Sequence, residues 1–194
     1  MNNNGINRIR SKIGWLVKKK KLKSCGCNSH VGYNLVLKKP QYIEIGDNFS
    51  AGKDLKIEVW DEYKGELICK MPSIKIGKNV SIIDNCQISC CSSIFIEDGC
   101  LFGDNVFITD NYHGDNSLPQ LKIPPVDRPL YVKGGVHIGN NVWVGRNVCI
   151  MPGVHIGDGA VIGANSVVTH DISAFSIAVG TPARVIKKSW VMNF

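Results

Sequence analysis

Hydrophobic and polar positions repeat with a period of six residues between Ile138 and Val167. An aliphatic residue opens each of five consecutive sixes, a glycine follows it in four of them, and a small residue stands fifth. An α-helix would need apolar spacings of three and four, and each such glycine would destabilise it by about 1 kcal/mol. The period therefore predicts a solenoid of short extended segments joined by tight turns, with three segments in each triangular coil of about 18 residues.

The same phase can be followed upstream. Its core positions are Ile45, Ala51 and Ile57, and then Ile96, Phe102 and Ile108. The pattern breaks over residues 60–72, where residues 61–65 are typical of a hairpin tip, and it slips by two residues near Ser92. Ile138 lies 30 residues after Ile108, which is five whole sixes. We therefore interpret residues 109–137 as an excursion loop that leaves the register intact, and a loop this long in a solenoid is typically functional.

The N-terminal segment has a different pattern. Apolar Ile6, Ile9, Ile13 and Leu16 are spaced by three and four, which predicts an amphipathic helix within residues 6–23. Its end is strongly basic, since five of the residues from 18 to 23 are lysines. Such a segment could dock on anionic lipid at the inner membrane face. We favour the alternative, in which the helix caps the first coil and its basic end is solvated.

Composition narrows the classes of protein. The net charge is +7, but no nucleic-acid-binding motif accompanies it, so we expect acidic small molecules rather than nucleic acid as ligands. No apolar run approaches the ~20 residues of a membrane span, and the N-terminal apolar pieces are too short for a signal peptide. The sequence therefore predicts a cytoplasmic protein.

The eight cysteines do not form a disulfide pattern, because their spacings are irregular and no export signal accompanies them. Cys86, Cys100 and Cys149 fall at or beside repeat positions, where cysteine acts as a small hydrophobic residue. A zinc site at a cysteine pair, or at His137 and His155, is an alternative that lacks the further ligands such sites need. These two histidines are 18 residues apart, so they should stack on one outer face. We expect no metal.

Four features together resemble a known family. They are the sixes themselves, Trp143 within one of them, the Asp110-x-x-His113 motif and the segment Gly-Thr-Pro-Ala-Arg that ends at Arg184. The chain is similar to the hexapeptide-repeat acyltransferases, and within them to the sugar and polysaccharide O-acetyltransferases. The resemblance implies a left-handed parallel β-helix over residues 41–180, preceded by a helical or irregular segment at 1–40 and closed by a C-terminal helix at 181–194. It also implies a homotrimer with acetyl-CoA as the acetyl donor.

His113 is the candidate catalytic base. It follows a predicted strand at the mouth of the excursion loop. Transfer of an acetyl group to a hydroxyl needs a base that works near neutral pH, and histidine is the side chain suited to this. In the family a histidine at this place is the base, and the hydroxyl attacks acetyl-CoA directly. The alternative is a loop histidine without a role.

Other candidates follow from the resemblance. Asp110 could orient His113 or contact the acceptor, or it could form a turn. Asn85 could hold the acceptor sugar, or it could stand at a coil corner. The residues that match the family's cofactor groove are Trp143, Gly145, Arg146, Ala164, Thr169, Arg184 and Lys187. For Trp143, Ala164 and Gly145, packing and coil geometry are the alternatives.

The sequence thus predicts an O-acetyltransferase that acts on a sugar hydroxyl, with a role in assembling capsule, exopolysaccharide or O-antigen. An O-acetyltransferase for galactosides, maltose or antibiotics and an N-acyltransferase for an amino sugar are alternatives. A further alternative is a non-catalytic β-helix that serves as a scaffold or binds metal. Such a protein would not need a loop histidine, His113, together with the cations Arg184 and Lys187 after the last coil.

Overall fold

The structure, a computed structural model, describes residues 13–188. Three sheets form the walls of a prism, and each complete coil contributes one strand to every wall. Their strands are parallel, except for the last strand of sheet B. Sheet A contains β1 (Ser24–Cys25), β4 (Ile43–Ile45), β9 (Ser73–Ile76), β12 (Ser93–Ile96), β17 (Val136–Ile138) and β20 (His155–Ile156). Sheet B contains β2 (His30–Val31), β5 (Ser50–Ala51), β10 (Ser81–Ile82), β13 (Leu101–Phe102), β18 (Trp143–Val144), β21 (Val161–Ile162), β23 (Ser176–Gly180) and β24 (Ala183–Lys188). Sheet C contains β3 (Val36–Lys38), β6 (Lys56–Val59), β11 (Gln87–Cys90), β14 (Phe107–Thr109), β19 (Cys149–Ile150) and β22 (Val167–Val168).

Two antiparallel hairpins protrude from the prism. One is formed by β7 (Glu62–Tyr63) and β8 (Glu66–Leu67), and the other by β15 (Asn111–His113) and β16 (Leu130–Val132). The described helical segments are short: residues 13–18, Lys19–Lys21, Pro40–Tyr42, Leu118–Leu121 and Pro125–Asp127. Within residues 13–188, none of the helices has the length and apolar character needed to cross a membrane.

Ladders of aliphatic side chains fill the prism. In sheet A, Ile45, Ile76, Ile96, Ile138 and Ile156 occupy successive strands in register, and all five are buried. Burying an isoleucine side chain contributes roughly 1.5–3 kcal/mol, so each coil stabilises the next. The predicted left-handed β-helix is confirmed, because the strands follow the predicted period and the fold matches that of the solved structures compared below.

Side chains that point outwards also stack from coil to coil. His137 and His155 face each other in register, with ring centroids 4.7 Å apart, as their spacing predicted. The ring of His137 also contacts the carboxylate of Glu97 through Nε2 at 3.0 Å. Within residues 13–188 no group of three or more histidine, cysteine, aspartate or glutamate side chains could hold a metal ion.

Within the described residues, the connections between the three walls differ in length at one corner only. All six connections from sheet A to sheet B have four residues, and so do all six from sheet B to sheet C. The connections from sheet C to sheet A vary from two residues, at 91–92, to 26 residues, at 110–135. The C–A corner therefore carries both protruding hairpins, while the other corners keep the coils in register.

The two ends of the chain differ from the sequence prediction. The predicted C-terminal helix is wrong over residues 183–188, which form β24 and pair antiparallel with β23, whereas residues 189–194 lie outside the described part. The first coil lies before the predicted boundary at 41, since β1 pairs with β4 and β2 with β5.

The N-terminal helical segment caps this first coil, as we favoured, but through a different face. Trp15 is buried and its Nε1 donates to the carbonyl of Ser29 at 3.0 Å, whereas Ile13 and Leu16 are exposed. Ile6 and Ile9 lie outside the described residues.

Candidate active site

His113 stands on the excursion loop close to where the loop leaves the prism. Sheet C strand β14 ends at Thr109, and the chain continues into β15, which pairs antiparallel with the returning β16. In this ladder His113 lies opposite Leu130, and the imidazole is exposed. Because side chains alternate along a strand, Asn111, His113 and Leu130 point to the same side of the hairpin.

This side of the hairpin faces a groove of about 410 Å³ at the C–A corner. Sheet C supplies its floor with the outward side chains of Glu58, Gln87 and Ser89. The two protruding hairpins and their flanks supply its walls with Trp60, Tyr63, Asn111, His113, Val126 and Leu130.

Polar side chains of the floor are held by hydrogen bonds. Gln87 Nε2 donates to Glu58 Oε2 at 3.0 Å, and Asn111 Nδ2 donates to the carbonyl of Ser89 at 3.2 Å. These contacts leave the second carboxylate oxygen of Glu58 and the side-chain oxygen Oδ1 of Asn111 able to accept hydrogen bonds from a ligand. A row of planar polar groups beside aromatic rings is suited to a hydroxyl-rich ligand.

Two aromatic rings, those of Tyr63 and Trp60, line the groove together with His113. Tyr63 meets the imidazole edge to face, with ring centroids 5.6 Å apart and an interplanar angle of 71°. Trp60 also packs edge to face against Tyr63, with ring centroids 6.2 Å apart and an interplanar angle of 66°. The ammonium of Lys38 lies over the Trp60 ring, and burial lowers the pKa of Lys38. Tyr63 is therefore the aromatic residue whose ring contacts the imidazole of His113.

The structure places Asp110 in the interior, where it is 0% exposed. Its carboxylate accepts hydrogen bonds from the backbone N–H groups of Cys91, Ser92 and Ser93 at 2.7, 2.7 and 2.9 Å. The predicted contact of Asp110 with the acceptor, and its role in orienting the imidazole, do not fit this burial. Asp110 instead anchors the root of the loop.

Asn85 stands on the B–C corner rather than in the groove. It is exposed, and its φ of 59° is the left-handed conformation that asparagine tolerates better than most residues. Its counterparts in later coils include Asn105 and Asn147, which have the same conformation and are joined by a side-chain hydrogen bond. Turn geometry therefore accounts for Asn85 within one chain.

Three of the predicted cofactor residues stack on the B–C corner. The amide of Gly145 donates to the carbonyl of Ile162 at 2.8 Å, and a Cβ at Gly145 would come within 2.7 Å of the Ala164 nitrogen. Arg146 follows on the same corner with an exposed side chain. The coils therefore approach closely here, which leaves a shallow and mostly backbone surface beside the Arg146 guanidinium.

Three further predicted residues lie on or beside the outer face of sheet B. Trp143 is 54% exposed and stands in register with Val161, which is followed by Ile177 on β23 and Lys187 on β24. Three strand spacings separate Trp143 from Lys187, or roughly 14 Å. Arg184 is exposed on the same terminal strand. Thr169 differs, because it lies at the C–A corner, where its hydroxyl contacts His170 Nδ1 at 2.8 Å.

Comparisons with known proteins agree with this architecture. Residues 135–170 match the family model of the bacterial transferase hexapeptide, with six repeats. Over 150 residues the chain is 35% identical to a protein of Escherichia coli K12 named as a lipopolysaccharide-biosynthesis O-acetyltransferase, WbbJ. This match covers 75% of the chain and 71% of that relative. The chain belongs to the hexapeptide-repeat acetyltransferases.

Solved structures of acyltransferases share the fold of this hexapeptide-repeat acetyltransferase. A galactoside acetyltransferase in complex with coenzyme A is 26% identical over 97% of this chain and 83% of its own, with a TM-score of 0.61. AntD, an N-acyltransferase from Bacillus cereus solved with dTDP and coenzyme A, is 23% identical over 90% of this chain and 88% of its own, with a TM-score of 0.72.

Sequence reasoning missed most of the acetyltransferase's groove. No sequence pattern singles out Glu58, Gln87 or Ser89, and Trp60 and Tyr63 fall within the break at residues 60–72. The phase of the six-residue period does indicate where the walls of this groove come together. Ile57 and Ile108 occupy the same column of sheet C, so the segments that follow them must leave the prism at the same corner.

Proposed function

We propose that this acetyltransferase transfers the acetyl group of acetyl-CoA to a hydroxyl of a saccharide in the assembly of a surface polysaccharide. The observation that carries this proposal is the position of His113. Its imidazole borders a groove whose walls include the aromatic rings of Trp60 and Tyr63 and whose floor holds Glu58 and Gln87. A base at the mouth of a groove suited to hydroxyl groups is what O-acetylation requires.

In the proposed reaction, the imidazole of His113 takes the proton of the acceptor hydroxyl. The hydroxyl oxygen forms a bond to the acetyl carbon, and the carbon–sulfur bond of the thioester breaks. The leaving coenzyme A thiolate takes the proton from the imidazolium, which returns His113 to its neutral form. No acyl-enzyme is needed, because the base and the acceptor act in one site.

The residues on sheet B and the B–C corner fit coenzyme A as the acyl carrier. Arg184 and Lys187 offer exposed cations for phosphate groups, and Trp143 offers an exposed aromatic wall for the acyl end. The close-packed corner at Gly145 and Ala164 lets an extended pantetheine chain approach the backbone. The two solved acyltransferases described above hold coenzyme A, which supports this assignment.

We further propose a homotrimer with active sites between subunits. Trp143 lies on the outer face of sheet B, whereas the groove at His113 lies on sheet C and the C–A corner. Two faces of a triangular prism point in different directions, so Trp143 and His113 of one chain do not border the same acetyl group. A neighbouring copy that presents its sheet B to the excursion loop would complete the site.

The location follows from this proposal. The use of acetyl-CoA supports a cytoplasmic reaction. In addition, the exposed apolar residues Ile13, Leu16 and Val17 lie next to the lysines between positions 18 and 23, and this segment could contact the inner membrane face. Co-sedimentation with vesicles that contain anionic phosphatidylglycerol tests the second point. Equal recovery with neutral and anionic vesicles would remove it.

The reaction is tested by coenzyme A release in the presence of neutral sugars, amino sugars, nucleotide sugars and extracted surface polysaccharide. The proposal predicts acceptor-dependent release and an acetyl ester that hydroxylamine cleaves. An amide product, which hydroxylamine leaves intact under mild conditions, would instead identify an N-acyltransferase. Release with galactosides or macrolides but not with polysaccharide fragments would favour the small-molecule alternative.

A further inference from the structure

The two protruding segments are fastened to each other although they leave the prism two coils apart. The Tyr63 hydroxyl donates to the carbonyl of Val126 at 2.8 Å. The neighbouring Lys64 forms an ion pair with Asp127. Both contacts join residues that are 63 positions apart in the sequence. The β7–β8 hairpin therefore acts as a strap that holds the excursion loop over sheet C.

The strap also reaches the reacting group. Tyr63 uses its hydroxyl to bind the loop and its ring to contact the imidazole of His113. An edge-to-face aromatic contact contributes about 0.5–1.5 kcal/mol and restricts the orientations of both rings. His113 is otherwise exposed at the end of β15, where its side chain would rotate more freely.

The charge of the groove restricts its ligand. Glu58 is the one carboxylate among the described residues that line it. The ammonium of Lys38, which pairs in register with Glu58 across sheet C, lies over the Trp60 ring and is not part of this lining. An acceptor with its own carboxylate would meet like charge at Glu58, which disfavours binding. Gln87 holds one oxygen of Glu58, and the other remains available for a sugar hydroxyl.

We propose that the β7–β8 hairpin builds an acceptor subsite for an uncharged saccharide unit, in which Tyr63 is a positioning residue for His113 and Glu58 selects against acidic sugars. This rests on the proposed acetyl transfer and identifies the class of acceptor. Tyr63 acts on the reaction through His113. Glu58 acts on the choice of acceptor.

The role of Tyr63 is tested by comparing Tyr63→Phe and Tyr63→Ala with the wild type. Misplacing a catalytic group by about 1 Å can cost 100-fold, so Tyr63→Ala should lower kcat by roughly 10- to 100-fold. The KM for acetyl-CoA should stay within about twofold, since the donor groove is untouched. Tyr63→Phe keeps the ring and should recover most of the activity.

A readout that does not depend on turnover accompanies these variants. The Tyr63 ring should shift the NMR signal of the His113 ring protons, and this shift should vanish in Tyr63→Ala and persist in Tyr63→Phe. Tyr131→Ala is the matched control, because Tyr131 is an exposed tyrosine of β16 that points away from the side shared by His113 and Leu130. If Tyr63→Ala behaves like Tyr131→Ala in both measurements, Tyr63 does not position His113.

The role of Glu58 is tested by Glu58→Gln with matched acceptors that differ in one carboxylate, such as a glucoside and a glucuronide. The wild type should prefer the neutral acceptor, and the variant should lower this preference by roughly tenfold. An unchanged ratio would overturn the selection by Glu58. A wild type that acetylates no acceptor contradicts the proposed function. An active wild type, together with Tyr63 and Glu58 variants that match it in activity and in acceptor preference, contradicts only the proposed subsite.

Discussion

The backbone N–H of Cys91 donates a hydrogen bond of 2.7 Å to the carboxylate of Asp110. This contact joins the start of the excursion loop to the connection one coil earlier, where the sequence period slips by two residues. The same carboxylate also accepts the N–H groups of Ser92, in that connection, and of Ser93, at the start of β12. Asp110 therefore fixes the root of the loop three residues before His113.

Replacing Asp110 by alanine should destabilise the fold, because three backbone donors would lose their acceptor in the interior. Each unsatisfied buried donor costs about 1–3 kcal/mol before relaxation, so we expect a loss of roughly 3 kcal/mol in the free energy of unfolding. Urea unfolding measures it. Asp115→Ala is the control, since Asp115 is an exposed loop aspartate that accepts a hydrogen bond from the Ser117 N–H. Equal losses in the two variants would contradict the anchoring role.

The buried thiol of Cys86 predicts a loss of stability at alkaline pH. Burial raises the pKa of Cys86 to about 11. A pKa raised in the folded state means that the stability is fully present below the unfolded value of about 8.5 and declines as pH rises towards 11. Cys86→Val should reduce this decline, because valine has no thiol to titrate and Val106 and Val148 fill the same position of later coils. Part of the decline should remain, since burial also raises the pKa of Cys100 to about 11.

The measurement is urea unfolding of the wild type and Cys86→Val at pH 8 and pH 10.5 in the presence of a reductant. Lysines titrate in both proteins, so the difference between them isolates the thiol. The wild type should lose more stability than the variant over this range. Parallel losses would show that the Cys86 thiol does not titrate differently in the folded and unfolded states.

The period of six was sufficient to predict the prism, since it specifies both the strands and the column that each side chain occupies. The C-terminal strand could not be read in this way. Residues 183–188 mix basic and apolar side chains at spacings compatible with a helix, and their strand depends on an edge that β23 offers only in three dimensions.

The catalytic candidate was easier to predict than its surroundings. His113 belongs to a recognisable sequence motif. Tyr63 lies 50 residues earlier in the sequence, and its ring contacts His113 only because the two protruding hairpins leave the prism at the same corner. Asp110 shows the converse, because a motif placed it beside His113 but its carboxylate turns inwards. Sequence spacing does not show which way a side chain points at the end of a strand.

A mixed-subunit experiment tests the proposed site between chains. His113→Ala subunits lack the base, and Arg184→Ala/Lys187→Ala subunits lack the phosphate contacts. If one site uses residues of two chains, random mixing should restore about a quarter of the wild-type sites. Activity is measured at acetyl-CoA concentrations below KM, after refolding the two variants together.

The control is each variant refolded alone, which should keep its own low activity. Mixtures that show only the average of the two variants would place both functions within one chain. Size-exclusion chromatography with light scattering should give three times the chain mass in every sample, and a monomer would contradict the proposed assembly.

The most direct test of the account is the kcat/KM of His113→Ala against the wild type with one established acceptor. A positioned base contributes about 100- to 10,000-fold, so the variant should lose at least about 100-fold while its affinity for coenzyme A and its unfolding midpoint stay close to those of the wild type. Turnover within about threefold of the wild type would show that His113 is not the base, and the groove would then need another catalytic group.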